Sequence, residues 1–153
     1  MNEEIRIQFL KKLPKLYEKS MRQGFIDYET KYNVDINYKT FSLVLTNDSE
    51  TLLGILTAYS AFSEIYVDDL WVDSNYRNKG YGRLLLTSLE QRFEGKGFNN
   101  INLVTSAFQA PEFYKKCGYE IEFIRHNSVN PQFTKTFFIK YFRNTVQSQG
   151  ILK

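Results

Sequence analysis

The chain has one cysteine and one histidine among its 153 residues. A single thiol closes no intramolecular disulfide, and Cys117 with His126 cannot build a Cys/His zinc site, so no metal is expected. Long apolar runs are absent as well. No stretch reaches the roughly 18 apolar residues that a membrane-spanning helix needs. The N-terminus begins Met-Asn-Glu-Glu and lacks the apolar segment of a secretory signal, so the expected location is cytoplasmic and no membrane partner is expected. There is no internal repeat, low-complexity tract or linker. Neither sign of charge dominates: 20 Lys and Arg against 17 Asp and Glu leave +3, with the acids interspersed. No basic block of the nucleic-acid-binding kind is present, although a mild positive field suits an anionic ligand.

What is present is enough for one domain with a real core, since 42% of the residues are hydrophobic. Aromatics are plentiful, with 11 Tyr, 13 Phe and 1 Trp. Most of these rings belong to core and sheet packing, and the remainder can line a pocket for an organic ligand. Residues 5–9 read as a short strand or turn and residues 11–33 as helical, with Pro14 and Gly24 blurring the boundaries. Residues 38–46 and 51–62 read as a hairpin around Asn47-Asp48-Ser49, and 64–72 as a third strand. Leu85, Leu86, Leu89 and Phe93 recur at helical spacing between Gly82 and Glu94, and Gly95 and Gly97 end that helix. A short buried strand is expected at 100–105. A short helix then ends near Gly118, and two last strands follow at 119–125 and 134–142. The tail from Arg143 reads as frayed. The order predicts an α/β or α+β fold with a mixed sheet, and a right-handed parallel crossover over 64–105.

The segment Arg77-Asn78-Lys79-Gly80-Tyr81-Gly82 lies between a strand and an amphipathic helix. The first N–H groups of a helix have no partner within it, and the macrodipole is positive there, so this junction is an anion site. Gly80 and Gly82 let phosphate oxygens approach the backbone, Asn78 tolerates positive φ, and Arg77, Lys79 and Arg83 add charge. Two glycines after a strand are also compatible with an ordinary turn. A P-loop is excluded because GxxxxGK[ST] is absent, and a Rossmann fingerprint because its third glycine and following acid are absent.

Arg77-x-x-Gly80-x-Gly82, after Asp69-Leu70-Trp71-Val72 and before Leu84-Leu85-Leu86, resembles the acetyl-CoA signature of the GNAT superfamily of N-acetyltransferases. Ala110-x-x-Phe113-Tyr114-x-x-x-Gly118-Tyr119 is similar to that family's second signature. The element order over roughly 38–142 resembles the family too. The resemblance implies a mostly antiparallel sheet of six to seven strands with about four helices and a splayed parallel pair at its centre. It implies one domain over 1–153: a helical acceptor-side part at 1–37, a core at 38–142 and a tail at 143–153. The implied co-substrate is acetyl-CoA. Its pyrophosphate would lie on Arg77 to Arg83, including Tyr81, and its pantetheine arm against backbone groups of Leu70, Trp71 and Val72, with Ala110 and Phe113 beside it. Where the family often has asparagine this chain has Ala107, and Ser106 or Gln109 is the candidate replacement.

The implied reaction is direct acetyl transfer to an amine of a small molecule or peptide. An alkylammonium with a pKa of about 10 must lose a proton before it attacks, and the thiolate of a thiol with a pKa of about 8.5 gains one. By resemblance Tyr114 is the general acid. Asp68 or Asp69 is the base or amine ligand, with Glu64 as a more distant third. Adjacent strand residues point to opposite faces unless a bulge intervenes, and the family strand often has one here. Trp71 and Phe113 also read as packing residues. A covalent route through Cys117 lacks a nearby base, since His126 lies in another element. A catalytically silent acetyl-CoA sensor or interaction domain is the alternative function. Residues 134–142, with Phe133, Phe137, Phe138 and Tyr141, read as a core strand or a homodimer interface.

Overall fold

The computed structural model describes residues 5–143. They fall into two compact units, one up to Ile36 and one from Asn37 onward. The expected tail beyond Arg143 lies outside the described residues.

In the first unit, α1 spans Lys15–Lys31 and residues 5–14 form no regular element, so neither the short strand nor the turn expected at 5–9 is there. The helix starts later than the expected residue 11 because Pro14 sits extended at its N-cap (φ −59°, ψ 140°). Proline fixes φ and lacks an N–H, which suits the start of a helix and no interior position. Its carbonyl receives the Tyr17 and Glu18 amides at 3.0 Å. Gly24 costs the helix about 1 kcal/mol against alanine, offset in part by the Gln23–Asp27 pair at 2.9 Å. Asn33 at φ 54° closes the end, with the Val34 amide reaching back to the Glu29 carbonyl at 2.9 Å.

The second unit is a six-stranded sheet. Its strands are β1 Lys39–Thr46, β2 Leu52–Ala61, β3 Glu64–Val72, β4 Asn100–Ser106, β5 Glu120–Arg125 and β6 Lys135–Tyr141. Their spatial order is β1-β2-β3-β4-β6-β5. All pairs are antiparallel except β3–β4, which a helix connects: α2, Tyr81–Phe93. A last helix, α3, spans Pro111–Lys116. The first hairpin forms where Asn47 accepts the Ser49 and Thr51 amides at 3.0 and 2.9 Å. Strand alternation sends Leu56, Ala58, Ile65, Val67, Ile101, Leu103 and Phe138 to one face, where Leu85, Leu86 and Leu89 of α2 cover them. Each fully buried Leu, Ile or Phe here contributes roughly 1.5–3 kcal/mol. The final strand is interior, between β4 and β5, with Phe138 fully buried. Among the described residues there are three α-helices and two 3-10 turns, and no helix is long and apolar enough to cross a membrane.

Candidate active site

The sheet is split at its centre. β3 pairs with β4 only from Glu64↔Asn100 to Val67↔Leu103, while β4 continues along β6 to Ser106↔Lys135. The cause lies in the β2–β3 register, where Thr57 faces Asp69 but Ala58 faces Val67. Asp68 is therefore an extra residue, a bulge, and a bulge bends its strand. Beyond it, no described strand pairs with the β4-side edge of Asp68, Asp69, Leu70, Trp71 and Val72. The N–H and C=O groups on that side are left for a ligand to use.

The open edge leads into a cavity of about 540 Å³. Leu70 and Val72 form one wall, Arg77, Asn78 and Gly80 the turn, and Tyr81, Gly82 and Arg83 the start of α2. Gly80 is the N-cap of α2, with φ 82° and no side-chain cap, and Asn78 has φ 60°. This uncapped helix start presents free N–H groups and the positive end of a dipole. Gly82 lines the cavity and has a packing reason besides the one its motif suggests. A Cβ there would lie 2.9 Å from the tip of the Phe113 ring, so its bareness lets α3 close on α2. Arg77 donates from Nε to the Val72 carbonyl at 3.1 Å, and Arg83 to the Lys116 carbonyl at 2.7 Å. Both arginines thus tie the cavity's elements together as well as charging it. Lys79 does not line the cavity; its ammonium lies 5.2 Å from the centre of the Tyr76 ring.

The other wall is α3, with Ala110, Phe113 and Tyr114. Gly118 at φ 86° ends this helix, with the Gly118 and Tyr119 amides bonding the Lys115 and Tyr114 carbonyls at 2.9 and 3.1 Å. Tyr114 packs between Phe113, at 5.1 Å, and Phe138, at 5.6 Å. Burial, with a smaller contribution from Cys117, pushes its phenol up to about 12, so it stays protonated at neutral pH. Cys117 is buried and its thiol is pushed up by that burial, against the pull of Arg83 and Lys140, which makes it a poor nucleophile.

The bulge also decides where the two aspartates go. Asp69 accepts the Thr57 hydroxyl at 3.2 Å on the face turned away from α2. Asp68 is exposed, and its charge helps to push up the phenol of Tyr59, a residue on that same face, behind burial as the larger cause. Asp69 therefore lies on the side of the sheet turned away from α2, with Asp68 next to it at the bulge. Trp71 lies opposite Ile55 on this face, 41% exposed and outside the cavity.

Ser106 and Gln109 are not brought to the cavity. The Gln109 side-chain oxygen accepts the Ser106 amide at 2.9 Å and the Thr105 hydroxyl at 3.2 Å, so it is spent holding the turn after β4. Two cavity residues escaped the sequence reading: Tyr76, in the turn before Arg77, and Lys116, the last residue of α3. An aromatic beside the loop and a second basic pair at 115–116 were the available signals. Among the described residues no group of His, Cys, Asp and Glu is arranged to hold a metal ion.

The family model described as "Acetyltransferase (GNAT) family" matches residues 10–119. A blasticidin-S acetyltransferase of Streptomyces morookaense is 37% identical over 71 residues, 46% of this chain and 52% of that protein. The chain spans about half the length of the curated relatives it matches. The crystal structure of an acetyltransferase from Bacillus cereus ATCC 14579 superposes with a TM-score of 0.73 at 29% identity, over 88% of this chain and 98% of that one. A candidate streptothricin acetyltransferase from Bacillus anthracis str. Ames, crystallised with acetyl coenzyme A, has a TM-score of 0.58 at 21% identity, over 71% and 64% of the chains, a likeness of fold.

Proposed function

Because the chain belongs to the acetyltransferase (GNAT) family, we propose that it transfers the acetyl group of acetyl-CoA to a primary amine by direct attack in a ternary complex. One observation carries this reading. The β3–β4 ladder stops at the Asp68 bulge, and the open edge beyond it runs into the cavity that Tyr114 and the start of α2 line.

The residues present fit a long anionic thioester. The Gly80–Gly82 amides and the dipole of α2 suit a pyrophosphate, with Arg77, Arg83 and Lys116 adding charge. The unpaired edge of Leu70, Trp71 and Val72 suits the amides of a pantetheine arm. Bound there, acetyl-CoA supplies an electrophilic carbonyl and a thiolate leaving group.

Tyr114, on the cavity wall, would meet that sulfur. A phenol near 12 is a weaker acid than an ordinary thiol near 8.5. In the free protein its task is thus hydrogen-bond donation. The burial that raises the phenol also raises a thiolate beside it, which brings the two closer and makes proton transfer as general acid feasible. Asp68 or Asp69 takes the proton of the incoming ammonium, directly or through water. The bulge favours Asp68, since Asp69 is already engaged by Thr57. The acceptor is a small molecule or peptide amine; relatives named for blasticidin S and streptothricin support the small-molecule side.

A thiol-release assay with acetyl-CoA and a panel of amines tests the proposal. Turnover on at least one amine is expected. Tight binding of acetyl-CoA with no turnover on any amine, polyamine, aminoglycoside or peptide N-terminus would instead make the chain a silent binding domain.

A further inference from the structure

The face of β2 and β3 turned away from α2 carries tyrosines to which the proposed acetyl transfer gives no task, beside the carboxylates of Glu64 and Asp69. Tyr59 and Tyr66 lie directly opposite each other across the ladder and stack with centroids 4.9 Å apart at 13°. Tyr38 leans on Tyr59 at 5.6 Å. The Tyr66 hydroxyl donates to Glu64, whose other oxygen accepts from the Asn100 side chain at 3.1 Å. Glu64 is thus held in place by neutral donors. No described cation pairs with Glu64, Asp68 or Asp69. The phenols register the same field. Tyr66 is pushed up to about 12, first by its bond to Glu64 and then by burial, and Tyr59 is raised by burial and by Asp68.

A structural sheet face needs no such arrangement. Stacked rings would serve packing equally well without a carboxylate fixed at one end and two more at the other. Ring faces are negative, and a cation above them is attracted, more so where water is partly excluded. Glu64 and Asp69 on this face, with Asp68 at the adjoining bulge and no described cation paired to any of the three, make the tyrosines a wall that favours positive charge. Its dimensions follow from the register. Asp69 is opposite Thr57, and the Tyr59–Tyr66 pair is two residues further along β2, about 7 Å at a strand rise of 3.4 Å per residue.

We propose that this wall binds a second cationic group of the acceptor, an ammonium or guanidinium roughly 7–10 Å from the reacting nitrogen. The enzyme would then prefer small dications to neutral-ended amines of equal length. The inference rests on the acetyl-transfer reading and names its substrate class. Tyr59, Tyr66 and Glu64 are specificity residues in it, and Asp68 at the bulge is shared by wall and reaction.

Pentanediamine and aminobutylguanidine, compared with aminopentanol, test it by thiol release. The dications should exceed the neutral-ended amine in kcat/KM by about ten-fold, carried by KM and shrinking at high salt, within the two- to thirty-fold that such contacts supply. Tyr59→Leu and Glu64→Gln should each bring the ratio close to unity, while Tyr59→Phe, which keeps the ring, should retain most of it. A wild-type ratio near unity, or one unmoved by both Tyr59→Leu and Glu64→Gln, overturns the proposal. Thermal unfolding of each variant separates misfolding from lost selectivity. Should no amine turn over, acetyl transfer is what fails, and calorimetry on the coenzyme A-loaded protein still decides the wall. Tighter binding of the dications than of aminopentanol supports it, and equal affinity overturns it.

Discussion

The two sides of the split strand β3 are built on different principles. Toward α2 and α3, the cavity is made of backbone and close approach: an uncapped helix start at Gly80, a bare Gly82 against Phe113, and a strand edge freed by a bulge. Away from α2, the wall is made of side chains: Tyr59 on Tyr66, Glu64 held by Tyr66 and Asn100, and the aspartates at 68 and 69. Backbone groups recognise whatever repeats in every turnover, such as a pyrophosphate or an amide chain. Side chains can be exchanged without rebuilding the fold, so they are where acceptor choice can vary. On the proposed reading, the difference teaches that cofactor and acceptor recognition would be separable here, meeting at Asp68 and Tyr114.

That separation can be broken. Tyr114→Phe should have the largest effect, lowering kcat roughly ten- to a thousand-fold with little change in coenzyme A affinity. Steady-state kinetics with a separate binding titration checks this, and an unchanged kcat across the pH range would sink the acid role. Asp68→Asn should lower kcat/KM by roughly ten- to a hundred-fold near neutral pH. That loss should narrow toward pH 10 as the free amine sheds its own proton. Asp69→Asn should do less, and equal losses would show that the bulge does not single out Asp68.

Gly82→Ala sharpens the comparison from the cavity side. The added carbon, 2.9 Å from the tip of the Phe113 ring, would force that cavity-lining ring to shift. Overpacking of this kind typically costs about 1–3 kcal/mol, enough to outweigh the helix preference for alanine and to weaken coenzyme A binding about ten-fold. Phe113→Leu in the same chain should restore part of the affinity, and no change in either variant would mean that the two helices adjust freely. The smallest effect concerns stability at high pH. Tyr114 titrates near 12 when folded and about 10 when unfolded. Its contribution is therefore whole below pH 10 and declines between pH 10 and 12, because only the unfolded chain releases the proton there. Denaturant midpoints at pH 9 and 11 should fall less in Tyr114→Phe than in the wild type.

Much of this was readable in the chain. The third strand matched residue for residue, Glu64–Val72, since a run of β-formers between turn residues leaves little choice. Helix α2 was off by one position at each end, because Leu85, Leu86, Leu89 and Phe93 keep helical spacing. The loop glycines and Tyr114 were legible as a spaced pattern. Residues 5–9 form neither the short strand nor the turn expected of them: Ile5, Ile7 and Phe9 alternate like a strand, yet pairing is a tertiary fact that no local pattern supplies. The glycine spacing does not show that Gly82 also makes room for the Phe113 ring, thirty-one residues away in the chain. Gln109 looked free to replace a contact, but its amide turns back onto Thr105 and Ser106.

The sequence by itself determined the family, the order of strands and helices, and the uncapped helix start at Gly80. These depend on local periodicity, on glycine and on spacing, all of which are written along the chain. Only the tertiary structure decided that Asp68 is a bulge, that Asp69 lies on the face turned away from α2, and that Tyr59, Tyr66 and Glu64 stand on that same face. Those outcomes depend on the register between β2 and β3, and a shift of one residue there changes which face every following side chain occupies.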